Sequence, residues 1–376
     1  MLKLKLPIPV FRNAKEIANG KNARLALTGI NASKAALVVS GSFYKSKHFE
    51  QVKRLINCDS LHVIKKESGE PTIHIISSIL EELEGFGPDY IIALGGGSVI
   101  DASKIAWVLY EHSTLDLNEA IRPFSIPPLR GKSQFAAVPT TIGSGSEVSS
   151  AAVFMDPINF SKKSIVSHDL LPDLVILDPE LVAEVPQVIL KTSVADALSH
   201  AVEGYVSRIS HPMMEIFSEK SCEIIFTHLK NFDQETWDLE MISSLQLSSM
   251  LAGIVQNHCV VGLSHAIAHQ LGQYSFSHGL ANAALMPHVI EYNANDKKTH
   301  DKYLKLCHRS GIGSLDKLVK IFQTLSPNRQ EFPSIQKSHY PEIAKLAQLD
   351  PAARTNPLQF TDQDVIKILN NLYECY

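Results

Sequence analysis

The sequence predicts an α/β protein in which a parallel sheet occupies the N-terminal half and helices fill the C-terminal half. Short apolar runs alternate with helical segments in the first half of the chain. After about Pro186, apolar residues recur every three or four positions, which is the helical period. The 376 residues are too many for one simple core, so two domains are expected. We place them at 1–183 and 184–376.

Each predicted strand is a short apolar run in the first half of the chain. The five runs lie at 35–39, 61–64, 90–94, 135–139 and 174–178. Helices are predicted at 71–85 and 98–110, and in the second half at 189–206, 212–229 and 237–257. Because the strands are almost continuously apolar, both faces of the sheet must be covered by helices, as in parallel sheets.

Composition and charge argue against several classes of protein. The formal net charge of −4 and the lack of a basic cluster disfavour nucleic-acid binding. The five cysteines are scattered without a C-x-x-C pair, and their odd number disfavours a disulfide framework. The first six residues, MLKLKL, lack the continuous apolar core of a signal peptide, so we expect a cytoplasmic protein.

A glycine triplet follows the third predicted strand and precedes a helix. In Gly95-Gly96-Gly97-Ser98 the glycines allow close approach of a phosphate, and Ser98 is the predicted N-cap of a helix whose N-terminus favours an anion. The pattern is not G-x-G-x-x-G, and alone it is equally typical of a plain turn. A second loop, 139–147, follows the next strand and offers hydroxyl groups and flexible backbone. Two such loops at strand ends favour a nucleotide or dinucleotide site.

The most unusual segment is 241–290, which contains no Asp, Glu, Lys or Arg although 20% of the chain is charged. Polar residues interrupt it, so it offers no window of about 20 apolar residues for a membrane span. We predict a buried helical core instead. Five histidines lie in this segment, and a metal ion is a partner that suits several buried histidines together. They are His258, His265, His269, His278 and His288.

Two pairs of metal-ligating residue types are spaced by one helical turn. Asp196 and His200 form one pair, His265 and His269 form the other, and His278 follows nine residues later. One such pair is commonly a hydrogen-bonded contact, and a lone buried histidine is usually structural. Two pairs and a further histidine together favour a metal site. Imidazole and carboxylate ligands suit both Zn²⁺ and Fe²⁺, and the spacing does not choose between them.

The glycine triplet, the loop 139–147 and the Asp/His cluster occur in the order found in iron-containing (group III) alcohol dehydrogenases. The sequence resembles that family over most of its length. Further matching segments are Asp101 with Lys104, 171–173, 178–179, 196–203, 265–282 and 353–357. The resemblance implies a Rossmann-like dinucleotide-binding domain, a helical domain and a cleft between them, the architecture also seen in dehydroquinate synthase. It implies a metal-dependent, NAD(P)-dependent alcohol dehydrogenase or aldehyde reductase acting on a small alcohol or aldehyde.

The resemblance also assigns roles to individual residues. It implies Asp196, His200, His265 and His278 as ligands of a divalent metal, with Fe²⁺ preferred and Zn²⁺ as the alternative. His269 is then placed beside the nicotinamide and substrate as a catalytic proton relay. The implied cofactor-binding residues are Gly41, Ser42, Gly95, Gly96, Gly97, Ser98, Asp101, Thr140, Thr141 and Lys162, with Lys163 as the alternative to Lys162.

Departures from the family pattern refine these expectations. Gly41 stands where NAD-preferring members often carry an Asp, and Ser40, Ser42 and Lys45 lie nearby, so we expect NADP(H) to be favoured over NAD(H). The segment 270–277 is about one residue shorter than in many relatives, which leaves the register of His278 less firmly fixed.

The substrate pocket and the assembly carry further expectations. Gln256 to Cys259 replaces a more apolar run beside the substrate pocket, which allows a polar substrate; His258 either contacts that substrate or caps a buried helix. Ala151 is expected to place a small side chain at the pocket, and His288 is expected to be structural. The segment 4–11 is expected to pair with a second subunit, which makes a homodimer the expected assembly.

Three alternatives remain open at this point. The first is a glycerol-dehydrogenase-like or dehydroquinate-synthase-like enzyme of the same architecture. The second is a metal-dependent hydrolase that uses the histidines without a dinucleotide, and the third is a non-catalytic nucleotide-binding protein. The two cofactor loops argue against the hydrolase, and the intact ligand set together with His269 argues against the non-catalytic protein.

Overall fold

The computed structural model describes residues 10–156, 162–232 and 237–373. Six parallel strands form one sheet in the order β1-β8-β5-β4-β2-β3, and the other two strands form an antiparallel hairpin. The eight strands are β1 Glu16–Asn19, β2 Ala32–Ser40, β3 Cys58–Lys66, β4 Tyr90–Gly95, β5 Gln134–Pro139, β6 Ala151–Met155, β7 Lys162–Val166 and β8 Leu174–Leu177.

Thirteen helices accompany these strands in the described residues. The N-terminal half contains α1 Phe49–Leu55, α2 Ile73–Phe86, α3 Gly97–Glu111 and α4 Leu117–Ala120. The C-terminal half contains α5 Gln187–Val206, α6 Pro212–Thr227, α7 Leu239–Cys259, α8 Leu263–Leu271, α9 His278–Asn293, α10 Lys297–Arg309, α11 Leu315–Leu325, α12 Tyr340–Leu349 and α13 Asp362–Tyr373. The predicted fold class, a parallel sheet followed by a helical region, is confirmed.

Burial on both faces explains why the central strands are continuously apolar. Along β4, Ile91 and Ala93 pack into the core beneath α2 and α3, whereas Ile92 and Leu94 pack on the opposite face with Phe49 of α1. Alternate side chains of a strand point to opposite faces, so both sets must be apolar when both faces are covered. The five predicted strands correspond to β2, β3, β4, β5 and β8.

Strands β1, β6 and β7 were not predicted. β1 has only four residues, begins with Glu16, and pairs with β8 at the edge of the sheet. A polar start and partial exposure conceal a short edge strand of this kind. The hairpin of β6 and β7 buries only alternate residues such as Ala152 and Phe154, so it produces no continuous apolar run.

Helix α5 lies at the centre of the helical region. Every residue from Val194 to Val206 is buried, and α5 packs against α6, α7 and α9. The uncharged stretch 241–290 forms most of α7, α8 and most of α9, and these helices are largely buried, as predicted. Within the described residues, no single helix is long and apolar enough to cross a membrane; α7 together with Leu263–Tyr274 reaches that length and hydropathy only as a pair bent by 102°.

The segment between β8 and α5 links the two halves. The sheet ends at Leu177, a 3-10 turn follows at Pro179–Leu181, and α5 begins at Gln187. The predicted domain boundary between residues 183 and 184 falls in this connection, where the chain forms neither helix nor strand. The boundary itself stays a prediction.

Candidate functional site

Two adjoining cavities lie at the carboxyl ends of the strands, where parallel sheets generally bind ligands. The first, of about 630 Å³, is lined by the ends of β2 and β3 and by the loops after β4 and β5. The second, of about 410 Å³, reaches from those loops to α5, α7, α8 and α9. Ser98, Thr141 and Ile189 line both cavities, so the two form one continuous cleft.

Glycine is required where the loops after β4 and β5 meet. A Cβ atom at Gly97 would lie 2.7 Å from the side chain of Ser144, and one at Gly96 would lie 3.2 Å from Thr141. Any larger residue at Gly97 would therefore separate the loops. Helix α3 begins at Gly97 with Gly96 as its N-cap, so the prediction that Ser98 is the N-cap is wrong; Ser98 is the second helical residue. The shift follows from the close loop packing, because the chain must turn into the helix at the glycines.

Nine of the ten predicted cofactor-binding residues line the cleft. Gly41, Ser42, Gly96 and Thr140 line the first cavity, Gly97, Asp101 and Lys162 line the second, and Ser98 and Thr141 line both. Gly95 lines neither cavity. Its carbonyl group accepts a hydrogen bond from the Thr140 backbone N–H at 3.0 Å, and a Cβ there would collide with Val99 at 2.5 Å. The structure thus gives Gly95 a packing role at the end of β4.

The structure distinguishes between Lys162 and Lys163, the two candidates for the cofactor-binding lysine. Lys163 forms an ion pair with Asp156, with an N–O distance of 2.7 Å. Lys162 lines the second cavity, and its Nζ atom lies 3.4 Å from the Glu70 carboxylate, which lines the same cavity. Lys162 is therefore the residue of the two that can contact a ligand in the cleft.

A buried lysine fixes the loop after β5 against α3. The Nζ atom of Lys104 donates hydrogen bonds to the carbonyl groups of Ser146 at 2.7 Å and Ser149 at 2.6 Å. Burial lowers the pKa of Lys104 to about 8 and raises the pKa of the neighbouring Asp101 to about 6. The lysine therefore holds two cavity-lining residues of the loop in place.

Four predicted metal ligands converge beside the second cavity, and three of them, Asp196, His200 and His278, line it. Asp196 and His200 come from α5, His265 comes from α8, and His278 is the first residue of α9. One ligand atom from each lies within 4.8 Å of the others. His269 is not a member of this group, and the family resemblance likewise implies that it is not a ligand. The register of His278 places it with the other three despite the shortened preceding segment.

The chemistry of these four side chains fits a divalent cation. Both ring nitrogens of His200 are buried and have no hydrogen-bond partner within the described ranges. Burial lowers the pKa of His200 to about 4, so its imidazole is neutral, which is the ligating form. Burial also opposes charge on His265, but the carboxylates of Asp196 and Glu203 on either side raise its pKa to about 9. The cluster thus attracts positive charge and offers three imidazoles and one carboxylate.

Partners outside the cluster orient two of its members. The buried Glu203 carboxylate accepts hydrogen bonds from His265 Nδ1 at 2.6 Å and from the backbone N–H groups of Gly262 and Ser264. The Asn282 side chain donates to Asp196 Oδ1 at 2.8 Å. Such partners fix the rotamer and tautomer of a ligating side chain. Sequence reasoning missed Glu203 as a site residue, although it lies seven residues after Asp196 on the same face of α5.

His269 is held by a carboxylate that is distant in sequence. Its Nδ1 atom donates to Asp350 Oδ2 at 2.8 Å, and its ring stacks on His278 with centroids 5.3 Å apart. The lone pair is thereby placed on Nε2, and His269 lines the second cavity. Asp350 was also missed, because nothing in the local sequence links it to a histidine 81 residues earlier.

Two other histidines of the uncharged stretch lie outside the cleft. His258 lines neither cavity; its Nδ1 donates to the Ile254 carbonyl group at 2.8 Å and its Nε2 accepts from the Arg12 N–H at 3.0 Å. Of the two roles considered for it, the helix-end role agrees with this geometry. His288 is buried away from both cavities. Gln256 and Ala151 do line the second cavity, as expected. Of the predicted edge segment 4–11, residues 4–9 lie outside the described residues.

Comparison with known proteins yields consistent matches over most of the chain. The family model "Iron-containing alcohol dehydrogenase" matches residues 15–179, and "Fe-containing alcohol dehydrogenase family, C-terminal" matches residues 190–373. The chain is 28% identical to an NADPH-dependent butanol dehydrogenase of Clostridium saccharobutylicum, over 96% of this chain and 97% of that relative. It is 30% identical to a 1-propanol dehydrogenase of Citrobacter freundii, over 85% of this chain and 88% of that relative.

Solved structures show the same fold. The iron-containing alcohol dehydrogenase of Thermococcus thioreducens is 25% identical with a TM-score of 0.87, covering 97% of this chain and 99% of its own. A 1,3-propanediol oxidoreductase is 25% identical with a TM-score of 0.88, covering 97% of this chain and 100% of its own. Because each match covers 97% of this chain, it extends across both halves.

Proposed function

Because the chain belongs to the iron-containing alcohol dehydrogenase family, we propose that it is a metal-dependent enzyme that transfers a hydride between NAD(P)(H) and a small alcohol or aldehyde. One observation carries the metal dependence, namely the convergence of Asp196, His200, His265 and His278 within 4.8 Å. These four residues would hold Fe²⁺, or alternatively Zn²⁺. When bound, the cation supplies positive charge that favours ionisation of an alcohol hydroxyl group or polarises a carbonyl group.

The residues of the first cavity are proposed to bind the dinucleotide. Helix α3 begins at the glycine turn, and the partial positive charge of a helix N-terminus favours a phosphate group. Gly96 and Ser98 would contact the pyrophosphate, and Thr140 and Thr141 would line the passage towards the nicotinamide. The nicotinamide end would then reach the second cavity, where Lys162 and His269 lie.

His269 is proposed to accept and return the proton of the reaction. Asp350 holds the Nδ1 proton, so Nε2 is the basic atom. A histidine with one nitrogen fixed by a carboxylate is a common general base. Its neighbours in the second cavity include His278 and Asp196, so the proposed base would lie beside the proposed metal site.

NADP(H) is the proposed cofactor in preference to NAD(H). Gly41 directly follows β2 at the wall of the first cavity and offers no carboxylate that would repel a 2′-phosphate. Ser42, Lys45 and Lys66 line the same cavity and offer hydrogen-bond donors, two of them charged. The butanol dehydrogenase relative is named as NADPH-dependent, which supports the same preference.

Metal content and turnover test the central proposal. The purified protein is expected to contain a divalent metal and to oxidise NADPH with an aldehyde such as propanal or butanal. His265→Ala should remove both metal and activity, whereas His258→Ala, outside both cavities, serves as the control and should retain both. Activity that survives both His265→Ala and metal removal would contradict the proposal, and hydrolysis without a dinucleotide would favour the hydrolase alternative.

The cofactor preference is tested by the ratio of kcat/KM for NADPH and NADH. A Cβ atom at Gly41 would have only Lys65 Cε and the Lys66 carbonyl oxygen within 4 Å, at 3.5 and 4.0 Å, so Gly41→Asp can be accommodated. We expect the wild type to favour NADPH and the variant to shift the ratio towards NADH, because the added carboxylate repels a 2′-phosphate. A strong NADH preference in the wild type would contradict the assignment.

A homodimer is the proposed assembly. Ile209, before α6, and Met213 and Ile216, on α6, are about half exposed or more. Phe11 lies against Phe217 of the same helix, with ring centroids 6.1 Å apart. A second copy of the chain is the occupant proposed for this apolar surface. Light scattering at micromolar concentration tests it: Ile216→Lys is expected to yield monomers, and a monomeric wild type would refute the proposal.

A further inference from the structure

A glutamate in the loop between β3 and α2 lines the second cavity and neutralises its lysine. Glu70 and Lys162 both line that cavity, and their side chains form an ion pair with an N–O distance of 3.4 Å. The Lys162 side chain is 11% exposed, whereas that of Glu70 is 51% exposed. The lysine is therefore reached mainly through the cavity, and the more exposed glutamate lies nearer the solvent.

Hydrogen bonds hold the backbone on both sides of Glu70, so the position of this residue is built into the fold. The Nζ atom of the buried Lys66 donates to the Gly69 carbonyl group at 2.8 Å. The Met155 N–H donates to the Pro71 carbonyl group at 2.7 Å. Met155 is also the cross-strand neighbour of the paired lysine in the hairpin of β6 and β7. These contacts fix the loop beside the strand that carries the lysine.

The charges that line the second cavity disfavour an anion. Its lining contains the carboxylates of Glu70, Asp101 and Asp196, whereas Lys162 is the one lysine or arginine in that lining among the described residues. A divalent cation held by the four proposed ligands would offset the charge of Asp196. The charge of Lys162 is already offset by Glu70. A carboxylate on a substrate would therefore find no free lysine or arginine in the cavity and would lie near like charges.

We infer that Glu70 is a specificity-determining residue that excludes anionic substrates, so that the enzyme selects neutral aldehydes over aldehydes that carry a carboxylate. This inference rests on the proposed alcohol dehydrogenase function. Glu70 acts by pairing with Lys162 and by adding a like charge beside it, which is discrimination by repulsion. Without the Glu70 carboxylate, the Lys162 ammonium group would be free to form a charge-assisted hydrogen bond with a carboxylate on a short aldehyde.

Two aldehydes of equal length test the inference. Butanal ends in a methyl group and succinic semialdehyde ends in a carboxylate, and each would be reduced by NADPH and a proton to its alcohol. kcat/KM is measured for both with the metal-loaded enzyme at saturating NADPH, so that changes in cofactor binding cancel in the ratio. The wild type is expected to favour butanal by about tenfold or more. Glu70→Gln should raise the ratio of succinic semialdehyde to butanal by about tenfold, towards the weak end for unit charges about 4 Å apart.

Two further variants assign the effect to Lys162. In Glu70→Gln/Lys162→Met the gain should disappear, because no lysine is left to pair with the carboxylate. Asp156→Asn is the matched control and should keep the wild-type ratio. It removes the ion-pair partner of Lys163, the adjacent residue on β7, which lines neither cavity. The gain in Glu70→Gln should also shrink as KCl is added, since salt screens the new contact.

The outcomes separate this inference from the proposed function. If both aldehydes are reduced but their ratio in Glu70→Gln stays within about twofold of the wild-type ratio, Glu70 does not exclude anions and the inference is overturned. A wild type that reduces succinic semialdehyde as well as butanal overturns it equally. If the loaded wild type reduces neither aldehyde, the proposed function fails, and the inference about its substrate fails with it.

Discussion

Replacing Glu203 with glutamine tests how strongly the residues around the cluster control metal binding. The Glu203 side chain is 1% exposed, and its two oxygens accept three hydrogen bonds. Oε2 accepts from His265 Nδ1 at 2.6 Å and from the Gly262 N–H at 3.0 Å, and Oε1 accepts from the Ser264 N–H at 2.7 Å. Glutamine has nearly the same shape but only one acceptor oxygen. In either orientation its NH₂ group must face at least one N–H donor.

The magnitude follows from these contacts. The variant removes the negative charge that makes the His265 contact a charge-assisted hydrogen bond, the stronger class of such bonds. His265 then becomes a less basic and less firmly oriented ligand. Loss of a partner of this kind typically lowers metal affinity 10- to 100-fold, which corresponds to about 1.4 to 2.7 kcal/mol.

Competition with a chromophoric chelator measures the effect, using Zn²⁺ because it is stable in air. Glu111→Gln is the matched control, since Glu111 also accepts three backbone N–H groups, those of Gly131, Lys132 and Ser133, but lies in the N-terminal half. Both variants should unfold at a lower temperature than the wild type, yet only Glu203→Gln should bind metal more weakly. An affinity for Zn²⁺ within twofold of the wild type in Glu203→Gln would refute the reasoning.

Three further predictions concern catalysis, pH and packing. Asp350→Asn should lower kcat by roughly 10- to 100-fold with normal metal content, because His269 loses its carboxylate partner; steady-state kinetics with an unchanged kcat would contradict it. Burial lowers the pKa of His288 to about 4 in the folded state, so the free energy of unfolding should decrease as the pH falls from 6.5 towards 4. Urea unfolding at several pH values should show a smaller decrease over this range in His288→Gln than in the wild type. Gly145 has a φ of +63°, and the Cβ atom added by Gly145→Ala would lie 2.5 Å from a backbone carbon of α7, so the free energy of unfolding measured in urea should fall by roughly 1–3 kcal/mol. Gly29→Ala is the control, because a Cβ there meets open space, and it should lower the free energy of unfolding by less than about 1 kcal/mol.

Elements with a strong local pattern were predictable from the sequence. The run at 90–94 is apolar on both faces because both faces are covered, and this pattern identified β4 correctly. Strand β1 and the hairpin of β6 and β7 were not predictable in this way. Their residues are only partly buried, and their pairing partners are set by the packing of the sheet and of α3 rather than by their own composition.

In the candidate site too, contacts within one helical turn were predictable from the sequence, whereas contacts between distant segments were not. Asp196 and His200 share one helical turn, so their proximity follows from the helix itself. Glu203 acts on a histidine 62 residues later, and Asp350 acts on one 81 residues earlier. No local spacing encodes those contacts, which arise only when the fold brings α8 within hydrogen-bond reach of both Glu203 on α5 and Asp350 after α12.

The sequence by itself determined the order of the two halves, the glycine turn that opens α3 and the residue types available to a cation. These are properties of short segments, because backbone freedom, periodicity and ligand chemistry act over a few residues. Only the tertiary structure decided which histidines belong together. His265 and His269 lie one turn apart on α8, yet only His265 reaches Asp196, whereas His269 is turned towards Asp350 and the cavity. That choice depends on how α5, α8 and α9 pack, since packing alone brings side chains from distant segments within ligand distance.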